Sequence, residues 1–441
     1  MLNCRVQDYG ARGDGQTPDT AAVQAAIDDC SAHGGGRVTL SEGRFLCTRI
    51  DLKSGVDLHI ERDAVLLGSA DGLAFEPIRS TFWRTQYAPR FNDRCFIYAE
   101  QCEDIAITGR GAIDCQGEKY VDPLPEGKLT TMSYVRKPYP ISDPDTPEAG
   151  PDVMYGSYAH PVDPRKTSLA PARVVLFMGC KHVLVEDVTM RNQPAGWGYW
   201  VCGCEDVHFH RADIRSAVDF PNNDGIHINC CRNVTVSDCN ITCGDDGIVV
   251  RAYSLPLQQN TPCEKIAVSN CNITSHACGV RLGWINDGLI RDCAFTNLNI
   301  TESNVGIGIR LPGNPGDMRI SDQGEEATHI EQITFSNILM DRVYHYPVEI
   351  CISEHNLCDA IRKIYFSGVH ATAAWMPVVK GREDCHVQDV YFDNCHFAQM
   401  RYEEMHNRFG DRFAALSTPL KEPIFAHVDN LTLNGTVFSV L

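Results

Sequence analysis

The chain of 441 residues has no apolar run approaching 18 residues, so it offers no candidate transmembrane helix. Positive charge is scarce: 39 Lys and Arg against 57 Asp and Glu leave a formal net charge of −18. Such a field repels phosphate backbones and anionic membrane surfaces, so neither nucleic acid nor a membrane is an expected partner. An anionic glycan remains compatible, because local Arg or Lys can override the global field. No segment is low in complexity, and no GK[ST] follows the early glycines, which argues against a phosphate loop. The stretch after Met1 lacks the apolar region of a signal peptide and enters strand-like sequence at once. The 21 cysteines are odd in number and spaced with the sequence repeats, unlike a compact disulfide framework. Reduced thiols in a cytoplasm are therefore expected, although an export signal removed from the chain would leave the same picture. Cys202 and Cys204, Cys230 and Cys231, and Cys239 and Cys243 have no second pair at zinc-finger spacing, so no metal or cofactor is expected.

What is present is a run of short strands. After a glycine-rich turn at Gly10–Gly15, Thr17 and Pro18 have the chemistry of an N-cap and first helical residue. Val23, Ala26 and Ile27 recur at helical spacing, and Gly34–Gly36 ends the pattern. Residues 1–36 are thus expected to form a strand and a capping helix, and residues 37–441 a solenoid. Residues 37–40, 45–47, 50–52, 56–60 and 105–114 are β-like. Residues 118–171 form a long insertion rich in Pro, Asp, Tyr and Ser, expected to wall one side of a cleft.

A repeat follows. Segments opening at Cys180, Cys204, Cys231, Cys263, Ile330, Ile361 and Val387 share one alternating pattern, at offsets in the twenties where no insertion intervenes. Short strands at that period without helices predict an all-β, single-stranded parallel β-helix. Cys239, Cys271 and Cys395 share one phase, as expected for an apolar interior ladder.

Acidic residues concentrate in two segments of this repeat, Asn222-Asn223-Asp224-Gly225 and Cys243-Gly244-Asp245-Asp246-Gly247. Each alone reads equally well as a turn. Together they place three aspartates one coil apart, taking the interval from Asp224 to Asp245 as the coil. Carboxylates crowded in this way couple their titrations, and at least one is expected to hold its proton more tightly. Paired carboxylates across a scissile bond are the equipment of glycoside hydrolysis. Trp200 lies about one coil before Asp224, on the same cleft, as a candidate for stacking on a sugar. His227, three residues after Asp224, is a candidate substrate contact.

These motifs resemble those of glycoside hydrolase family 28, the polygalacturonases. Asp8–Gly15 resembles the opening of many bacterial members. Gly109–Gly117 resembles a turn shared with other β-helix carbohydrate enzymes. Asn222–Gly225 resembles the family's Asn-Thr-Asp motif and Gly244–Asp246 its Gly-Asp-Asp motif. The resemblance implies a right-handed β-helix and inverting hydrolysis, with Asp245 as general acid and Asp224 and Asp246 activating water. Two further motifs match in part. Cys278 stands where the family has histidine, with His276 two residues earlier. Arg310 matches the arginine of the Arg-Ile-Lys motif, but Pro312 replaces its lysine. The resemblance implies that Asn222, His276 and Arg310 face substrate, and Arg281 is positioned to supply charge lost with the lysine. The expected activity is exo-acting hydrolysis of short pectin-type oligosaccharides containing galacturonate. A polysaccharide lyase holding calcium on the aspartates, or a glycan-binding β-helix without activity, are the alternatives.

Overall fold

The computed structural model describes residues 2–80, 94–120, 170–194, 196–218, 220, 222–285, 287–311, 327–354, 356–401 and 420–440. The 118–171 insertion thus falls largely outside the described residues, as does Pro312.

Among the described residues all strand pairings between successive coils are parallel, and the chain winds into a right-handed parallel β-helix with one sheet of 23 described strands and another of 11. The sequence repeat is the rung repeat. Val183, Val207, Val234, Ile266, Cys293, Ile333, Ile364 and Val390 stack in one interior column. Two residues on, Phe295, Phe335, Phe366 and Phe392 form a second column, with successive rings 4.9, 5.0 and 4.7 Å apart. Parallel in-register stacking puts identical side chains one strand spacing apart, which favours flat offset rings and β-branched residues. Cys239 and Cys271 lie together in an interior column that Cys395 rejoins further along, as expected. A second thiol column runs through Cys102, Cys180, Cys204, Cys231 and Cys263. All 21 cysteines are free, and burial pushes the Cys263 thiol far above its ordinary range.

The N-terminus departs from expectation in two ways. Leu2–Arg5 pairs with Gly36–Leu40, so the first residues belong to the first coil and position 36 is not a boundary. The helix spans Thr20–Ala32, three residues later than its cap signal, because Pro18 ends the strand Asp14–Pro18. Asp19 stands at the N-cap, but its side chain does not cap the helix. Its carboxylate accepts from Arg12 N at 2.7 Å and Gly13 N at 3.0 Å and so closes the glycine turn. Val23, Ala26, Ile27 and Cys30 bury the inner face of the helix over the end of the interior column.

Candidate active site

The site lies on the outer face of the 11-stranded sheet. Ile226–Asn229, Ile248–Arg251, Cys278–Leu282, Val305–Leu311 and Val348–Ile352 are consecutive strands there. Ile226, Ile228, Ile248 and Val250 point inward, so His227, Asn229, Val249 and Arg251 point outward. The acidic segments are the turns that lead into the first two of these strands.

Register corrects the expected stacking. Ile226 pairs with Ile248, and Gly225 N donates to Asp246 O at 2.9 Å. Asp224 therefore stands over Asp246, and Asp245 over Asn223 rather than over Asp224. The glycines are required by closeness of backbone. A Cβ on Gly225 would lie 2.4 Å from Gly247 O, and one on Gly244 would lie 2.6 Å from the side-chain oxygen of Asn223.

Asn223 is fully buried and organises both turns. Its Oδ1 accepts from Gly244 N at 2.6 Å and Asp245 N at 3.2 Å, while its Nδ2 donates to Ala217 O at 2.8 Å. Asn222 Nδ2 donates to Asp245 Oδ2 at 3.0 Å, and Asp245 Oδ1 accepts from Asp246 N at 3.1 Å. The Ser275 hydroxyl and the Cys243 thiol both donate to the main-chain oxygen of Asp245. Arg281 Nη1 donates to Asp246 Oδ2 at 2.6 Å. Asp246 Oδ1 is buried with no hydrogen-bond partner among the described residues. Gln193 Nε2 fixes the main-chain oxygen of Asp224 at 2.9 Å.

His227 is buried behind Asp224, with 3.5 Å between Nδ1 and Oδ2. That contact is no ion pair: burial first, then the positive charges of Arg251, Arg173 and Arg281, hold the ring neutral well below its ordinary range. His227 also packs on Trp197 at 4.1 Å between ring centres. It supports Asp224 from behind instead of reaching into a cleft. Trp200 does not meet its expectation either. At 1% exposure it is enclosed with Trp197 under the guanidinium of Arg173, 4.5 Å away, and has no open face for a sugar. His276 is half-buried; its main-chain N donates to Cys243 O at 3.4 Å, which sets it at the level of Gly244 on the next rung.

Arg281 points outward one rung after Val249, with its guanidinium carbon over the Trp284 ring, 3.8 Å from its centre. The loop carrying Trp284 is fixed by Asp287, which is fully buried, accepts from the main-chain N of Trp284 and Ala252, and pairs with Arg251 at 2.7 Å. Arg310 is on the following rung, with Nε 3.9 Å from Glu349 Oε1. Cys278 occupies the rung after Asp246, and burial, then the charge of Asp246, pushes its thiol far up. Among the described residues no group of three or more His, Cys, Asp or Glu is arranged to hold a metal ion.

Sequence reasoning missed Asn223 as the clamp of the two turns, although it lies inside the motif. It also missed Trp284, Asp287 and Glu349. Only the outward column Val249, Arg281, Gly308, Glu349 brings Glu349 to the site, and that column becomes visible once the rung offsets are known.

Comparison with known proteins bears on this geometry. The family model described as "Glycosyl hydrolases family 28" matches residues 163–401, more than half of the chain. A model for rhamnogalacturonase A/epimerase, pectate lyase-like, matches residues 4–73. The chain is 30% identical over 312 residues to an exo-poly-alpha-D-galacturonosidase of Dickeya chrysanthemi, covering 68% of this chain and 51% of that protein. It is 27% identical over 277 residues to a probable polygalacturonase of Vitis vinifera, covering 58% and 48%. The chain thus spans about half the length of these curated relatives. A solved exopolygalacturonase of Thermotoga maritima superposes with a TM-score of 0.69 at 21% identity, covering 98% of this chain and 92% of the other, which shows the shared fold. With the acidic motifs set on adjacent rungs of such a helix, the chain belongs to glycosyl hydrolases family 28.

Proposed function

We propose that this protein hydrolyses glycosidic bonds in pectin-type oligosaccharides that contain galacturonate, releasing units from the chain end. The observation that carries the reading is the gathering of Asp224, Asp245 and Asp246 on two adjacent rungs, each tied to a distinct partner. Family membership and the names of the relatives support the reaction class and the exo mode.

The three carboxylates differ in surroundings, which is how one site separates acid from base. Asp245 is gripped through both oxygens and its carbonyl, so its position is fixed; it is the proton donor to the leaving oxygen. Asp246 keeps one oxygen on Arg281 and the other without a partner among the described residues, suited to accept from an attacking water. Asp224, directly over Asp246 and backed by neutral His227, shares that water. A single displacement from this arrangement inverts the anomeric centre. The free, stacked thiols support residence in a reducing interior, where only imported oligosaccharides are available.

The test is product profiling over time on defined oligogalacturonides and on polymer, with anomeric configuration read by NMR. Monomer or dimer release from one end, with inversion, is expected. Early mid-length fragments and a rapid fall in polymer viscosity refute the exo mode. An unsaturated product absorbing in the ultraviolet refutes hydrolysis.

A further inference from the structure

The outer face beyond the acids holds a notch that the reaction chemistry does not use. In the outward column Val249, Arg281, Gly308, Glu349, Val378, the third position carries no side chain. The gap at Gly308 is therefore flanked by Arg281 on one rung and Glu349 on the other. Its floor is the thiol of Cys278: a Cβ on Gly308 would lie 3.0 Å from that sulfur. Arg310, two residues further along the Gly308 strand, borders the same gap. The notch lies one rung, about 4.8 Å, beyond Arg281, whose guanidinium reaches back to Asp246. A sugar unit bonded next to the scissile linkage would extend along that step.

The charges around the notch cancel. Arg281 is committed to Asp246 at 2.6 Å, and Arg310 lies 3.9 Å from Glu349. The side chains of these four groups are between 7% and 16% exposed, so solvent screens them little. His345, on the turn before the Glu349 strand, adds no positive charge, because burial and nearby Arg310 push its pKa down to about 3. Among the described residues, Lys380 is the next outward cation of the Arg310 column, two rungs on and thus about 10 Å further from the acids. A uronate carboxylate in the notch would meet no surplus positive charge from the described residues, and Glu349 would repel it. A neutral sugar meets a favourable surface: Arg310 donates, Glu349 accepts, and vicinal hydroxyls satisfy both.

We infer that the notch at Gly308 binds an uncharged sugar unit, and that Glu349 is the specificity residue that rejects a carboxylate there. This rests on the hydrolase reading and narrows it: the substrate is a mixed oligosaccharide, with galacturonate on one side of the cleaved bond and a neutral sugar on the other.

The experiment compares kcat/KM on trigalacturonate with that on the matched trisaccharide whose unit on the Arg310 side is galactose. The wild-type protein is expected to favour the galactose-containing substrate at least tenfold. Glu349→Gln, isosteric and uncharged, is expected to narrow that ratio at least tenfold by raising kcat/KM on trigalacturonate. A wild-type preference for trigalacturonate, or a Glu349→Gln variant that lowers both activities equally, overturns the inference and leaves the hydrolase reading standing. Hydrolysis of neither substrate overturns both.

Discussion

The two sheets share every coil of this helix and treat their outer faces in opposite ways. On the 23-stranded sheet, burial alternates along the central strands, and the outward positions carry Asn ladders and ion pairs in water, such as Arg37 with Asp57 at 2.8 Å. On the 11-stranded sheet most strands around the acids are buried on both faces, and the outward positions are still polar: His227, Asn229, Arg251 and Glu349. The same types of group do different work in the two places. In water an ion pair holds little and positions nothing. Under cover it must be fully partnered, and each partner's place is dictated by the others. The reactive carboxylates lie where the fold has accepted that cost.

The largest effect expected from this contrast is catalytic. Asp245→Asn keeps one of the two accepted hydrogen bonds that place the side chain, since an amide nitrogen cannot accept, and removes the proton, so kcat should fall by about 10²–10⁴-fold. Circular dichroism and the melting temperature should stay near wild type, because the amide can still accept from Asn222. The next effect is structural and tests the contrast directly. Arg251→Ala leaves Asp287, 0% exposed, without its counter-charge and should cost about 3–5 kcal/mol in denaturant unfolding. Arg37→Ala on the solvated face, 49% exposed, should cost about 1 kcal/mol or less. Equal losses would show that the two faces do not differ as described. Within one strand, Phe335→Ala in the ring column should cost about 3–5 kcal/mol, whereas Leu339→Ala, which points into water, should fall within about 0.5 kcal/mol.

The smallest effect concerns pH. Buried His227 and His345 refuse protons that the unfolded chain accepts below its ordinary value of 6.5. The unfolded state then binds more protons, so stability falls as pH drops from 6.5 toward the folded value, about 3 for His345. His345→Gln should flatten the dependence of melting temperature on pH in that window. An unchanged slope would assign the acid sensitivity to other groups.

The interior of the fold was legible in the sequence because it repeats. The shared alternating pattern marked the rungs that build the column from Val183 to Val390, and one phase named the Cys239, Cys271 and Cys395 ladder, since identical rungs demand identical chemistry. The acids were legible for a related reason: Asp-Gly pairs recur where backbones press together. The site's supports were not, because they depend on register. Counting Asp224 to Asp245 as one coil is wrong by a single residue, and that residue decides whether Asp245 faces Asp224 or Asn223. The fate of Trp200 was equally out of reach. Its outward direction follows from alternation, but its enclosure by Trp197 and Arg173 comes from neighbouring rungs.

The thiol columns have a consequence of another kind. A solenoid unit is held only by its neighbours, so unravelling proceeds rung by rung from wherever it begins. Nineteen of the 21 cysteines are buried, spread from Cys4 to Cys395. Each is silent to a thiol reagent until its own rung opens. The order in which they are modified under mild denaturant, read by peptide mass spectrometry, is therefore a clock along the axis, already installed in the wild-type chain.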